Sequence, residues 1–252
     1  MAPHSREAKT LSTEVVLVAG PTASGKSALA LDLAERFGGV VINADAMQVY
    51  RELRVLTARP DTATETRVPH RLYGFLAVTE AFSAARWRER AVEEIRAAQA
   101  VGKLPIVVGG TGLYLKALMD GLSPVPEIPE AVRARIRARV GEIGAEAFHA
   151  EFAAKDPAMA ARLRPSDPQR LARAAEVLEA TGTSLAEWQG RGSAGEGFRF
   201  LTHLLLPPRE ALHAACDARF RAMVESGALD EARAMRAFGL DPALPATRAV
   251  GL

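Results

Sequence analysis

One eight-residue segment, Gly20-Pro21-Thr22-Ala23-Ser24-Gly25-Lys26-Ser27, constrains the fold of this chain more than any other. It follows an apolar run at residues 15–19, precedes a helical pattern, and matches the phosphate-loop pattern G-x-x-x-x-G-K-[ST] at every position. Its two glycines permit backbone angles at which successive N–H groups converge on phosphate oxygens at the start of a helix. The segment therefore predicts a polyphosphate site, formed by all eight residues, between a buried strand and a helix.

Two side chains of this loop have predicted roles toward the bound phosphates. Lys26 is expected to reach a terminal phosphate as a point charge, and Ser27 to offer its hydroxyl to Mg²⁺ as the predicted metal ligand. The loop does not fix the reaction, because kinases, hydrolases and group transferases all use it, and ATP is a common occupant. The rest of the chain has to distinguish these classes.

Composition limits the class of protein. The chain has 252 residues, of which 48% are hydrophobic, enough for a substantial core. Residues 1–13 lack the apolar core of a signal peptide, and no run approaches the ~20 apolar residues of a membrane span, so we expect a cytoplasmic protein with no membrane partner. The net charge of +2 does not indicate nucleic-acid binding. Cys216, the single cysteine, excludes an internal disulfide and is expected to be a small buried residue on a helix.

The order of apolar runs predicts the fold class. Strands are expected at residues 14–19, 40–44, 104–108 and 198–206, separated by helices, with residues 51–80 rich in loops. Three prolines between residues 124 and 129 and a Gly/Ser-rich stretch at 190–197 enclose a segment in which only helices are expected. We therefore predict an α/β phosphate-loop fold, with a parallel sheet flanked by helices at residues 1–122 and 198–252 and an all-helical insertion at 123–197.

The helices carry recognisable boundary signals. Asp156 and Asp167, each followed by proline, are predicted N-caps, and Ser184 with Glu187 predicts a capping box. After the insertion, a helix is expected from Pro208 to about residue 226, with an apolar face formed by Phe220, Met223 and Val224.

Two polar residues follow predicted strands and are candidates for chemistry. Asp45 comes directly after the strand at 40–44, and Thr111 follows Gly109-Gly110 after the strand at 104–108. Ligands of open parallel sheets lie beyond the carboxyl ends of the strands, so both side chains should face the same crevice as the loop. A carboxylate there suits a general base or a magnesium ligand acting through water, and the structural alternative is a capping or ion-paired aspartate.

Seven motifs in order along the chain resemble those of the bacterial tRNA dimethylallyltransferases, also called tRNA isopentenyltransferases. The resemblance covers the chain from about Val16 onward. The segments that carry it are residues 20–27, Ala44-Asp45-Ala46-Met47-Gln48-Val49-Tyr50, Thr57-Ala58-Arg59-Pro60, Pro69-His70-Arg71-Leu72, Phe82-Ser83, Gly109-Gly110-Thr111-Gly112-Leu113-Tyr114 and Asp167-Pro168-Gln169-Arg170-Leu171-Ala172-Arg173.

This resemblance implies transfer of a dimethylallyl group from dimethylallyl diphosphate to the exocyclic N6 amine of the adenosine 3′ of the anticodon in tRNA. It implies that Asp45 accepts a proton from that amine, that Thr111 lies at the reaction centre, and that Arg219 lies near the diphosphate. The adenosine has to leave its stack to reach such a crevice, so base flipping is expected. We also expect the protein to be a monomer.

The resemblance also marks residues that contact the tRNA anticodon stem-loop. They fall in three groups, which are Asp45, Ala46, Met47, Gln48 and Thr111 in the crevice, Arg133 in the insertion, and Gln169, Arg170, Leu171, Ala172 and Arg173 at the start of a later helix. From sequence alone, a solvated helix face is the favoured interpretation of these arginines, because the acidic residues of the insertion roughly balance its basic ones.

The chain departs from the family pattern at two places. Ala215 occupies a position where relatives commonly have a further arginine, and Leu252 replaces a common tyrosine at a point where the family usually continues into more helices. The C-terminal part of the core is therefore expected to be short. The rival functions are a small-molecule phosphotransferase with Asp45 as base, and an ATP-dependent RNA-binding module without enzymatic activity.

Overall fold

A computed structural model describes residues 13–192, 195–242 and 244–251, which leaves the first twelve residues and the Leu252 departure outside the described residues. Its regular elements, in chain order, are β1 (Glu14–Ala19), α1 (Lys26–Phe37), β2 (Gly39–Asn43), α2 (Thr62–Arg67), β3 (His70–Arg71), α3 (Ala84–Ala100), β4 (Leu104–Gly109), α4 (Gly112–Asp120), α5 (Glu130–Ile143), α6 (Ala145–Lys155), α7 (Pro157–Ala160), α8 (Pro168–Thr181), α9 (Leu185–Gly190), β5 (Arg199–Leu204), α10 (Arg209–Glu225), α11 (Ala228–Arg236) and a 3₁₀ turn (Pro245–Arg248).

The five strands form one parallel sheet in the order β3-β2-β4-β1-β5. β1, β2 and β4 are almost continuously apolar, as strands covered on both faces must be. The predicted α/β fold class is confirmed. The region expected to be rich in loops also contains α2 and the two-residue strand β3, which are too short to produce a periodic pattern.

Alternate residues of the central strands pack into two layers. Val15, Ile42 and Val107 join α3 and α4 in one cluster, centred on the fully buried Trp87 and Leu118. Val16, Val41 and Ile106 meet Ala30 and Ala34 of α1 in the other. These layers fix the sheet between helices, so the carboxyl ends of β1, β4 and β2 are held side by side.

The chain divides into two compact units, Met1–Asp120 with Gly195–Leu252, and Gly121–Ala194. The predicted insertion runs from 123 to 197, whereas the chain returns to the first unit at Gly195.

Arg88 of the first unit connects the chain segments on either side of the helical unit. It donates to the carbonyl of Ala117 at 3.0 Å and to Glu196 at 2.7 Å. A Cβ on Gly195 would lie 2.8 Å from the carbonyl oxygen of Met119, so only glycine fits there.

The helical unit has its own core, in which Phe148, Phe152, Leu171 and Ala175 are buried. Asp156 and Asp167 cap α7 and α8 through the backbone N–H groups of Met159 and Arg170, as predicted. Ser184 caps α9 differently from a capping box, because its hydroxyl accepts from the N–H of Ala186 and not from that of Glu187.

One expectation for α10 is wrong, since Cys216 was expected to be buried. The residues of its predicted apolar face are only partly covered by the described chain, because α10 has no buried residue and Phe220 is 66% exposed. Cys216 is half-buried, and its thiol lies 3.9 Å from the carbonyl oxygen of Thr22 in the phosphate loop. In the part of the chain that the structure describes, no helix has both the length and the apolar character needed to cross a bilayer.

Candidate active site

The phosphate loop connects β1 to α1 in a tightly curved backbone. Gly20, Ala23 and Gly25 have positive φ angles of 152°, 61° and 89°. A side chain at Gly20 would be 2.5 Å from the carbonyl oxygen of Leu205, which follows β5, so glycine is required there for space as well as for conformation. The glycines of the loop therefore allow its curved backbone and its close packing against the end of β5.

Lys26 begins α1 and folds back over this loop. Its Nζ donates a hydrogen bond of 2.6 Å to the carbonyl of Pro21. Partial burial lowers the pKa of Lys26, the Asp45 carboxylate opposes that shift, and the positive charge of Arg219 adds to it. The predicted aspartate and the α10 arginine therefore both act on the charge of the loop lysine.

Two hydroxyl groups of the loop suit an anion and its metal. The Ser24 Oγ is buried and has no hydrogen-bond partner among the described residues, although buried hydroxyls are normally paired. Ser27 is exposed at the start of α1. The described chain has no cluster of three or more His, Cys, Asp or Glu side chains placed to hold a metal. A single hydroxyl such as that of Ser27 suits Mg²⁺, which typically takes few protein ligands and completes its shell with water and phosphate oxygens.

Asp45 is fixed by the backbone around it. Its Oδ1 accepts from the N–H of Met47 at 2.9 Å and of Gln48 at 3.4 Å, which closes a turn. Its own N–H and carbonyl are both bound by the buried side chain of Asn43, at 2.8 and 3.0 Å. Among the described residues, no donor meets Oδ2. Asp45 thus combines the predicted turn-capping role with one carboxylate oxygen left for chemistry.

Asn43, which binds the backbone of Asp45, is itself held by a residue of the core. The indole Nε1 of Trp87 donates to the carbonyl of Asn43 at 2.8 Å, and the Trp87 ring stacks on Tyr114 of α4 at 4.5 Å. Asn43 was not among the predicted site residues, because an asparagine at the end of a buried strand has many structural roles.

Thr111 joins the ends of two neighbouring strands. Its hydroxyl oxygen accepts from the N–H of Ala46 at 2.9 Å, one residue after Asp45. Gly109 has no space for a Cβ, which would lie 2.2 Å from Ala44, and a Cβ on Gly110 would lie 3.9 Å from the Nζ of Lys26. The structure therefore brings Asp45, Thr111 and Lys26 to one crevice at the carboxyl ends of β1, β4 and β2.

Gln48 and Arg219 meet at one backbone carbonyl. The Gln48 Nε2 donates to the carbonyl of Thr57 at 2.8 Å and to that of Ala58 at 3.2 Å, and Arg219 Nη2 donates to the same Thr57 carbonyl at 3.4 Å. Ala58 has a positive φ of 49°, which an alanine adopts only when its surroundings enforce it. The loop around Thr57 therefore positions both predicted residues.

Glu231 of α11 holds that loop, and it was not among the predicted site residues. Its carboxylate accepts three backbone N–H groups, from Arg54 at 3.0 Å, Val55 at 2.8 Å and Leu56 at 3.0 Å. The contact spans some 175 residues of sequence, so no local pattern could indicate it.

We expect Glu231→Gln to lower the free energy of unfolding by about 1–3 kcal/mol, because an amide has one acceptor oxygen for three N–H groups and turns a donor toward them. Urea unfolding of the variant and the parent measures this. Asp230→Asn is the matched control, since Asp230 is largely exposed and, among the described residues, forms an ion pair only with Arg233 on its own helix. Equal losses in the two variants would contradict the role given to Glu231.

The residues predicted to contact tRNA from the helical unit divide by exposure. Gln169, Arg170 and Arg173 are exposed on the first turns of α8, and Arg133 is half-buried on α5. Leu171 is fully buried and Ala172 nearly so, both within the core of the helical unit. The side chains of these two residues therefore serve packing, whereas those of Gln169, Arg170 and Arg173 are exposed.

The sequence and the structure were compared with those of known proteins. Residues 48–252 match the family model of the IPP transferases. The tRNA dimethylallyltransferase of Rhodospirillum centenum is 58% identical over 240 residues, which is 94% of this chain and 76% of that protein. The enzyme of the same name from Parvibaculum lavamentivorans is 56% identical over 238 residues, again 94% of this chain and 76% of the relative.

Solved structures give the same assignment. The full-length tRNA isopentenylpyrophosphate transferase of Bacillus halodurans is 30% identical and has a TM-score of 0.63, with 95% of this chain and 75% of that chain covered. A eukaryotic dimethylallyltransferase acting on tRNA is 28% identical and has a TM-score of 0.77, with 90% of this chain and 56% of that chain covered. This chain, with its phosphate loop beside Asp45 and Thr111, belongs to the tRNA dimethylallyltransferase family.

Proposed function

We propose that this chain transfers a dimethylallyl group from dimethylallyl diphosphate to the N6 amine of the adenosine 3′ of the anticodon in tRNA, releasing diphosphate. The observation that carries the proposal is the crevice in which the phosphate loop, Asp45 and Thr111 lie together. Such a transfer needs a group that binds the diphosphate and a base that accepts a proton. The phosphate loop is suited to the first task and the Oδ2 of Asp45 to the second. The enzyme is proposed to act in the cytoplasm as a monomer.

The bonds that form and break in this transfer define the role of Asp45. The adenine N6 attacks the allylic carbon, the bond from that carbon to the diphosphate oxygen breaks, and the electron pair leaves with the diphosphate. The attacking nitrogen becomes positively charged and gives up one proton, for which the Asp45 Oδ2 is the acceptor. Thr111, bonded to the Ala46 N–H, keeps the turn that carries Asp45 next to the loop.

The loop residues stabilise the leaving group. The N–H groups between Gly20 and Ser27, together with the buried Ser24 hydroxyl, are the proposed donors to the diphosphate. Lys26 exchanges the Pro21 carbonyl for a phosphate oxygen, and Arg219 adds a second positive charge on the same side. Bound Mg²⁺, with Ser27 as its protein ligand, supplies further positive charge to the diphosphate.

A transfer assay tests the proposal. The full chain is incubated with Mg²⁺, dimethylallyl diphosphate labelled in the allyl group and an unmodified tRNA transcript, and the RNA is digested and analysed for labelled N6-dimethylallyl adenosine. A transcript with guanosine at the position 3′ of the anticodon is the matched control and should remain unlabelled. Label absent from both RNAs, or phosphate transfer from ATP to a small molecule, would favour the phosphotransferase and contradict the proposal.

A further inference from the structure

Helix α5 carries four arginines at alternate positions, Arg133, Arg135, Arg137 and Arg139. Residues four apart share a helix face, whereas residues two apart point to nearly opposite sides. The alternation therefore produces two arginine pairs, Arg133 with Arg137 and Arg135 with Arg139, which have different surroundings in the helical unit.

The pair Arg135 and Arg139 is neutralised by acidic side chains. Arg135 is bonded to Glu179 of α8. Arg139 donates to Glu142 at 2.8 Å and also to Glu151 of α6. The hydrogen bond from Arg139 lowers the pKa of Glu151, so the Glu151 carboxylate stays charged opposite its arginine. This face has no surplus of positive charge.

The other pair faces α8 at a cluster with more arginines than acids. Glu176 is buried, with 6% of its side chain exposed, and lies between Arg137 and Arg173. Its oxygens are 3.6 Å from the Arg137 Nε and 3.8 Å from the Arg173 Nη1, which are ion-pair distances too long for good hydrogen bonds. Arg137 and Arg173 thus share one carboxylate and keep donors for another acceptor.

Arg133 adds a third guanidinium to this cluster. Its Nε is buried and has no hydrogen-bond acceptor among the described residues. Its nearest acid is Glu130, 3.7 Å away on the same helix and 73% exposed, where water screens the attraction. Burial lowers the pKa of Arg173, the Glu176 carboxylate opposes that shift, and the positive charge of Arg133 adds to it. The three guanidiniums therefore have, among the described residues, one buried carboxylate, Glu176, to balance their charge.

We propose that Arg133, Arg137 and Arg173 form a binding site for a backbone phosphate of the tRNA, with Glu176 as the residue that positions Arg137 and Arg173. The proposal rests on the proposed function and adds Arg137 and Glu176, which the family resemblance does not mark. A phosphate suits the site because guanidinium groups bind its oxygens in pairs and because the arginines outnumber the acids. The Nε–H of Arg133, which has no acceptor among the described residues, gains one in the complex with tRNA.

The experiment measures the affinity of the full chain for an unmodified tRNA transcript over a range of salt concentrations. Arg137→Ala is expected to weaken tRNA binding and to reduce the slope of log affinity against log salt by about one, as for one lost phosphate contact. Arg137→Lys keeps the charge and is expected to keep the slope. Arg135→Ala, on the same helix but within the neutralised pair, is the matched control and should leave affinity and slope as in the parent.

The outcomes separate this site from the function itself. A slope in Arg137→Ala equal to that of the parent, or equal reductions in Arg137→Ala and Arg135→Ala, would overturn the site. Transfer of the dimethylallyl group by the parent, measured in parallel, shows whether the proposed function holds in either case. Binding of dimethylallyl diphosphate to all three variants should equal that of the parent, which also shows that the chain is folded.

Discussion

Asp45→Asn is expected to lower the turnover rate of dimethylallyl transfer by about 10²- to 10⁴-fold, the usual contribution of a positioned base, with little change in tRNA affinity. Asparagine keeps a side-chain oxygen for the Met47 and Gln48 N–H groups, so the turn survives. What is lost is the carboxylate oxygen that takes the proton. Single-turnover kinetics with saturating tRNA measure the rate, and equilibrium binding measures the affinity.

Asp45→Ala distinguishes the chemistry from the turn. Alanine removes the proton acceptor and the hydrogen-bond acceptor together, so this variant should be as slow as Asp45→Asn and should also be less stable. A turnover rate in Asp45→Asn close to that of the parent would show that Asp45 is only a capping residue.

Lys26→Ala is expected to weaken the binding of dimethylallyl diphosphate and to slow transfer by about 10²- to 10³-fold, as when a charge stabiliser of a leaving group is removed. Both the bound diphosphate and the departing one lose a positive partner. Calorimetry with dimethylallyl diphosphate and single-turnover kinetics measure the two effects separately.

Lys103→Ala is the matched control for Lys26→Ala, because Lys103 is an exposed lysine just before β4, at the amino-terminal end of that strand and away from the carboxyl ends that form the crevice. It should bind and react as the parent does. If Lys26→Ala kept both the affinity and the rate of the parent, the loop would hold a different ligand, and the assignment of the diphosphate site would be wrong.

The fold was predictable because its strongest determinants are local. β1, β2 and β4 are runs of apolar residues ended by glycine or a polar residue, and buried parallel strands require such runs. α2 and β3 were missed because six and two residues leave no periodic signal. The burial of Cys216 on α10 was predicted wrongly because residue type alone does not show which neighbours cover a side chain.

The part of the candidate site that was predictable consists of residues just after strands. Asp45 and Thr111 follow buried strands, and neighbouring parallel strands bring such positions together. The supporting contacts were not predictable, since Glu231 reaches Arg54, and Asn43 reaches Leu72, across long stretches of chain. Spacing likewise gave no indication that Gln48 uses its amide to hold the Thr57 loop.

The junction at Arg88 and Gly195 has a consequence for how freely the helical unit can change. β5 pairs with β1, although the whole unit Gly121–Ala194 precedes β5 in the chain. The entropy lost on closing a loop grows only with the logarithm of its length, and the core itself holds Ala117 beside Glu196. Lengthening, shortening or exchanging the helices between these points therefore costs the sheet little. The helical unit, which is proposed to contact tRNA, can therefore be exchanged while the core that carries the proposed diphosphate site still folds.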